Sequence, residues 1–280
     1  MVMRLPMPEF CSLDMLVQVI AERQGGINRD YFNSVAAEWK IRTDSYIKYG
    51  GSPKFVSTWP AIEEDKNKFL NLYESPGIKS AHGAMLSALR DDHPLSICPA
   101  CGEFGEPNTL DHYLPKTKYP HFSVTPANLF PMCDACQSLK SSKTGSALEP
   151  RYFLHPYFDL FTSFQIIQLT ISPPFNKPSF NLMPHPIWGG WRKGLIVSHM
   201  RELEIERRYV KFFRNEYKRL VRLADTMRRK NQDVRGMLES NSETLEYPTR
   251  NSWEYIFYSA IVLNSDLMNY LVEEELPPYP

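Results

Sequence analysis

Net charge is the first thing this chain lacks. Its 32 basic and 32 acidic residues cancel over 280 positions, so bulk charge argues for no particular partner. No apolar run approaches the roughly 18 residues needed to span a bilayer, which argues against a transmembrane helix. Residues 1–8 hold one arginine and two prolines, and Glu9 interrupts any apolar stretch, a pattern that predicts no secretory signal. Internal repeats and low-complexity tracts are missing too. Cysteine is scarce: four of the five fall in two C-x2-C pairs, the metal pattern of an intracellular protein, so the cytoplasm is the expected compartment. Cys11 is the odd one out and reads as a buried thiol.

What is present sets the rest. With 42% apolar and 13% aromatic residues, the chain can build a sizeable core, in one large domain or two small ones. Three segments can be told apart. Residues 1–95 read as a helical N-terminal region: Leu13, Val17, Ile20 and Ala21 recur at helical spacing, as do Tyr31, Val35, Trp39 and Ile41. Gly25-Gly26 and Gly50-Gly51-Ser52-Pro53 end these two helices, and Ile62 to Tyr73 and Ala81 to Leu89 predict two more. Residues 96–160 form a cysteine module. Residues 161–280 open with Phe164 to Ile171, rich in β-branched residues and bounded by Pro173-Pro174, a predicted strand that Ser179 to Met183 can pair with. A long helix is predicted from about Val197 to Arg229 and a final one from Ser252 to about Val272. The fold class is α+β, mostly helical with a short β-hairpin.

The module carries the chemistry. Cys98-Pro-Ala-Cys101 and Cys133-Asp-Ala-Cys136 are separated by 31 residues, and two residues between cysteines let both sulfurs of a pair face one ion. Four thiolates in tetrahedral geometry make a closed, structural zinc site, worth on the order of 10–16 kcal/mol of folding free energy in a small module. Between the pairs lie Asp111-His112 and Asn128; just after them come Gln137 and Lys140. An imidazole suits proton abstraction near neutral pH. A carboxylate with a carbonyl ligand suits a hard ion that keeps positions for water and phosphate. Phosphodiester hydrolysis needs both.

The order C-x2-C, Asp-His, Asn-Leu, C-x2-C-Gln-x2-Lys over residues 97–145 resembles the HNH nucleases, the ββα-metal fold in its zinc-stapled, four-cysteine form. The resemblance implies an embedded ββα-metal module at 96–160, an endonuclease acting on DNA, one structural Zn²⁺ on Cys98, Cys101, Cys133 and Cys136, and one catalytic Mg²⁺ or Mn²⁺. It places Asp111 as a ligand of the catalytic ion and His112 as the general base. Asn128 ties the hairpin and orients that histidine. Gln137 stands at the second ligand position, where the family usually has asparagine or histidine; its carbonyl is kept but its stem is one methylene longer.

The wider layout is similar to stand-alone bacterial HNH proteins of anti-phage defence, the Septu and retron-linked nuclease subunits. That similarity implies a defence ATPase as partner and a nuclease effector role. Two other readings stand beside it: a zinc-stapled nucleic-acid or protein adaptor that has lost catalysis, and an RNA-cleaving nuclease.

Around the site, Lys116, Lys118, Lys140 and Lys143 are candidate phosphate contacts. His155-Pro-Tyr-Phe-Asp159 reads as an aromatic clamp on the zinc hairpin, and His121 as a solvent-exposed loop residue. From Arg192 to Lys230 there are thirteen Lys/Arg against five Asp/Glu, a local excess that a phosphate backbone would seek.

Overall fold

The computed structural model describes residues 2–277. It has an α+β architecture of ten α-helices and two antiparallel hairpins among the described residues, with short 3-10 turns between them: α1 (Ser12–Glu22), α2 (Arg29–Lys48), α3 (Lys66–Glu74), α4 (Ala81–Asp91), β1 (Thr109–His112), β2 (Leu129–Met132), α5 (Asp134–Lys140), β3 (Ile167–Ser172), β4 (Ser179–Pro184), α6 (Gly190–Glu202), α7 (Ile205–Arg229), α8 (Val234–Thr244), α9 (Trp253–Val262) and α10 (Ser265–Glu273). No helix among the described residues is long and apolar enough to cross a membrane. The chain divides into two compact units: Arg4–Ala100 with Gly105–Leu160, and Cys101–Phe104 with residues 2–3 and the C-terminal part from residue 161.

In the first unit the N-terminal helices pack on the first hairpin. Met15, Leu16 and Val19 of α1, Phe32 and Trp39 of α2, Phe69 and Leu72 of α3, and Met85 and Leu86 of α4 share one buried cluster with Leu110 of β1 and Leu129 of β2. Trp39 meets Phe69 edge-on at 4.9 Å, and its indole N–H donates to the His121 carbonyl over 2.7 Å. The hairpin is a two-stranded ribbon with Asp111 opposite Phe130 and His112 opposite Leu129. Pro131 in β2 supplies no amide hydrogen, which a ribbon with one neighbour per strand tolerates. Cys11 precedes α1 as its N-cap and is exposed, against the expectation of a buried thiol. At this helix end the apolar stripe starts only at Met15 and Leu16, so the thiol is left in solvent.

The second unit contains β3 and β4, paired from Ile167 with Pro184 to Ser172 with Ser179, as the sequence pattern predicts. Ile167, Leu169 and Ile171 alternate onto the buried face. Two predicted helices are each broken in two. Glu204 sits in the left-handed region (φ 49°) between α6 and α7, flanked by fully buried Leu203 and Ile205. Residues two apart on one helix point roughly 200° apart, so burying both on one core requires the chain to turn there. The last helix stops at Leu263 because Asn264 caps α10, accepting from Leu267 N–H, while its amide donates to the Ile171 carbonyl of β3. The helix α8 is capped by Asp233, whose carboxylate accepts from Gly236 N–H, and buries Val234 and Leu238 one turn apart.

Candidate functional site

The two cysteine pairs meet. Cys98 and Cys101 precede β1, Cys133 is the N-cap of α5 and Cys136 lies in its first turn, and the four sulfurs lie within 4.8 Å of one another. Zinc–sulfur bonds of about 2.3 Å set sulfurs about 3.8 Å apart in a tetrahedron, a closure that small side-chain rotations provide. The four cysteines are positioned to bind one metal ion, and an all-thiolate donor set is that of structural zinc. Cys133 N–H points at Cys98 Sγ over 3.4 Å, a contact that favours the thiolate. In the second unit, Tyr209 Oη and Trp253 Nε1 both donate to the Cys101 carbonyl, at 2.5 and 2.8 Å, and Trp253 N–H donates to Gly102. These bonds fix the turn that presents Cys101.

Asp111 and His112, at the end of β1, open with Gln137 of α5 onto one cleft of about 430 Å³, whose rim includes Tyr73 and Lys116. The end of a short strand lets two consecutive residues serve one cleft. Asp111 is almost fully buried. Burial raises its pKa above the usual carboxylate range; the Lys140 ammonium, the His112 backbone N–H and the Gln137 side chain, all bonded to or facing the carboxylate, pull it back. Lys140 Nζ lies 2.9 Å from Asp111 Oδ2 and donates to the His112 carbonyl over 2.6 Å. Lys140 therefore differs from the solvent-facing phosphate contact expected of it: it is buried to 1% exposure, because the last turn of α5 aims its side chain back at β1.

His112 is pushed down to about 3, first by burial and then by Lys140 and Lys116, against the bond to Ser123. It is neutral over the physiological range. Its Nε2 contacts the Ser123 carbonyl at 2.8 Å. A carbonyl only accepts, so Nε2 carries the proton and Nδ1 keeps the lone pair. Tyr73 of α3 packs its ring edge-on to the imidazole at 4.4 Å and donates its hydroxyl to the Leu110 carbonyl. Ser123 is held in turn by its own hydroxyl, which donates to Phe69 O of α3.

Asn128 is fully buried and fully used. Its Oδ1 accepts from Leu114 N–H at 2.8 Å and from Tyr46 Oη at 3.0 Å; its Nδ2 donates to the carbonyls of Leu114 and Phe122, both at 3.1 Å. It ties the chain just after His112 to the chain just before Ser123, the two points that hold the imidazole. Tyr46 of α2 also contacts His155 Nε2 at 3.1 Å. Gly51, at φ 64°, must remain a glycine, because a Cβ there would collide with the Tyr46 ring.

The segment after α5 clamps this hairpin. Tyr157 Oη donates to Leu129 O of β2, His155 packs on Tyr113 at 4.0 Å, and Asp159 pairs with Arg151 while accepting from His155 N–H. The remaining expected phosphate contacts lie at the surface: Lys116 is half-buried, paired with Glu74 at 2.6 Å over the Tyr73 ring, and Lys118 and Lys143 are exposed. His121 corrects its expectation of exposure: it is fully buried against Trp59 and Phe122, with neither ring nitrogen hydrogen-bonded. Tyr46, Tyr73, Ser123 and Glu74 were not signalled by the sequence. No local pattern marks them, since each reaches the hairpin only through helix packing.

No protein-family model matches this chain, and no solved structure is significantly similar to it. It is similar to protein Ea31 of Escherichia phage lambda, 26% identical over 186 residues. The match covers 60% of this chain and 62% of that protein, so it spans less than two thirds of the relative's length.

Proposed function

We propose that this protein is a metal-dependent endonuclease of the HNH type that hydrolyses DNA phosphodiester bonds. One observation carries the reading: Asp111 and His112 from a strand end and Gln137 from the following helix line one cleft, with the imidazole neutral and held in a single tautomer. The donor set fits a hard divalent ion. Asp111 would supply a carboxylate oxygen and Gln137 a carboxamide oxygen, and two protein ligands would leave positions for water and phosphate. A Mg²⁺ or Mn²⁺ bound there would offset the charge on the scissile phosphate and the leaving oxygen.

The chain's own groups do the rest. His112 Nδ1 accepts the proton of the attacking water, while Nε2–H stays on the Ser123 carbonyl. Burial keeps the imidazole in the neutral form a base must have, and makes it a weaker base than free imidazole. Tyr73 and Asn128 hold the ring and its supporting loop in place. Lys140 balances the Asp111 charge, and Lys116 stands at the rim where a phosphate enters.

A specific observation also favours the adaptor reading. Asp111 is already compensated by Lys140 and bonded by Gln137, so the site is electrostatically complete without a divalent ion. Plasmid nicking with and without Mg²⁺ or Mn²⁺ separates the two. The nuclease reading expects metal-dependent nicking that His112→Ala lowers by about 10²–10⁴ with fold and zinc retained. It also expects Gln137→Ala to need more metal and Gln137→Asn to stay active. No cleavage under any metal, with zinc-loaded folded protein, would favour the adaptor. Matched RNA substrates test the choice of nucleic acid. The effector role in anti-phage defence rests on the resemblance of layout, and co-purification with a neighbouring ATPase tests it.

A further inference from the structure

We infer that one face of α7 is a docking surface for the phosphate backbone of duplex DNA. This rests on the DNA reading above and adds to it the surface that grips the substrate. At roughly 100° per residue, Arg207, Lys211, Arg214, Lys218, Arg222 and Arg229 project within an arc of about 80°. All six are exposed. The buried face, with Tyr209, Phe213, Tyr217, Leu220 and Ala224, lies on the other side of the helix, so the arc looks away from the core of its unit.

Between Arg207 and Arg222 no acid shares the arc; beyond that stretch Asp225 does, and it is taken up by Arg229. Arg207 pairs with Glu204 and Arg229 with Asp225 at the two ends. The middle cations Lys211, Arg214 and Lys218 form no ion pair among the described residues. Glu206 and Glu216 project outside the arc, and Glu216 is engaged by Arg219 and Tyr258. A chain with no net charge therefore carries a one-signed strip. From Arg207 to Arg222 it runs about 22 Å at 1.5 Å per residue. That matches about six phosphates of one strand at roughly 3.4 Å along the duplex axis.

The composition of the strip selects the partner. No exposed apolar side chain interrupts the arc; Leu223, the nearest, lies about 100° beyond its edge by the same helical geometry. Stable protein interfaces centre on aromatic or aliphatic anchors in a dry core, and this face offers none. A rod of flexible cations without an anchor suits a polyanion read by its charge.

The test is binding, kept separate from cleavage. Fluorescence anisotropy of the full chain with a labelled duplex of about 20 base pairs, without added Mg²⁺ or Mn²⁺, is followed over a salt series. The variant Lys211→Gln/Arg214→Gln/Lys218→Gln removes three contacts, and at about 0.9 per phosphate should shallow the slope of log K against log salt by about 2–3. Its affinity at low salt should fall at least tenfold, with circular dichroism and zinc content unchanged. An unaltered slope and affinity would overturn the surface. So would wild-type protein that binds polyglutamate and no duplex, which would assign the strip to an acidic protein. Duplex binding with the expected loss but no nicking would sink the nuclease reading and leave this one standing.

Discussion

Replacing Lys140 with methionine probes how the cleft holds a buried charge. The ammonium sits 2.9 Å from Asp111 Oδ2 and donates to the His112 carbonyl at 2.6 Å, and both side chains are buried. Asp111 keeps a raised pKa even with this partner, so desolvation outweighs the attraction. The pair is thus no net source of stability relative to two apolar residues. Breaking it is different, because a carboxylate is stranded in the interior at about 3–5 kcal/mol, and the orphaned carbonyl adds about 1 kcal/mol. We expect Lys140→Met to lose about 4–6 kcal/mol at pH 7.5, against a total of about 5–15 kcal/mol for a typical domain. At about 2–4 °C per kcal/mol, the melting temperature should fall by roughly 8–24 °C. Urea unfolding followed by tryptophan fluorescence measures it. Asp111→Asn/Lys140→Met removes both charges and should recover at least about 2 kcal/mol over the single variant, the coupling a contacting charged pair shows. A single variant within about 1 kcal/mol of wild type would refute the reasoning. So would a double variant no more stable than the single.

Elemental analysis should find one zinc per chain, and Cys133→Ser should lose the metal and lower thermal stability; a zinc-free wild type removes the cluster's role. Asn128→Ala should cost about 3–5 kcal/mol, since it unpairs Leu114 at both backbone groups and takes one partner each from the Phe122 carbonyl and the Tyr46 hydroxyl, and a loss under 1 kcal/mol in urea would contradict the network. Stability should also fall with acid earlier than carboxylates alone dictate. Burial holds His121 down at about 3 and His155 well below its ordinary value, so the unfolded chain binds more protons below about pH 6.5. The stability these groups contribute is complete above that pH and is lost as pH falls toward the folded values. Each should remove about 2 kcal/mol between pH 6.5 and 5, and an unfolding free energy that stays flat over that interval would count against both histidines being neutral in the fold.

Local pattern alone located most of the elements. The C-x2-C spacing marked the metal-binding cysteines, because two intervening residues are what a knuckle requires whatever surrounds it. Alternation at Ile167, Leu169 and Ile171 marked β3 and the face it buries, and the Gly-rich breaks marked the ends of α1 and α2. Adjacency in sequence also put Asp111 and His112 together. What sequence could not decide is which side chains end up away from water, since that depends on the element that packs over them. Lys140 reads as one more surface lysine until the turn of α5 points it at β1. His121 reads as a loop residue until Trp59 and α2 close over it. Continuous helical periodicity hid the breaks at Glu204 and Asn264, because periodicity records that residues are apolar, and burying Leu203 and Ile205 on one core is a demand only the packed chain makes. Tyr73 joins the cleft, and Tyr46 the network behind it, for the same reason. They lie far from it in sequence, and only the packing of α2 and α3 against the hairpin brings their hydroxyls and rings to Asn128 and His112.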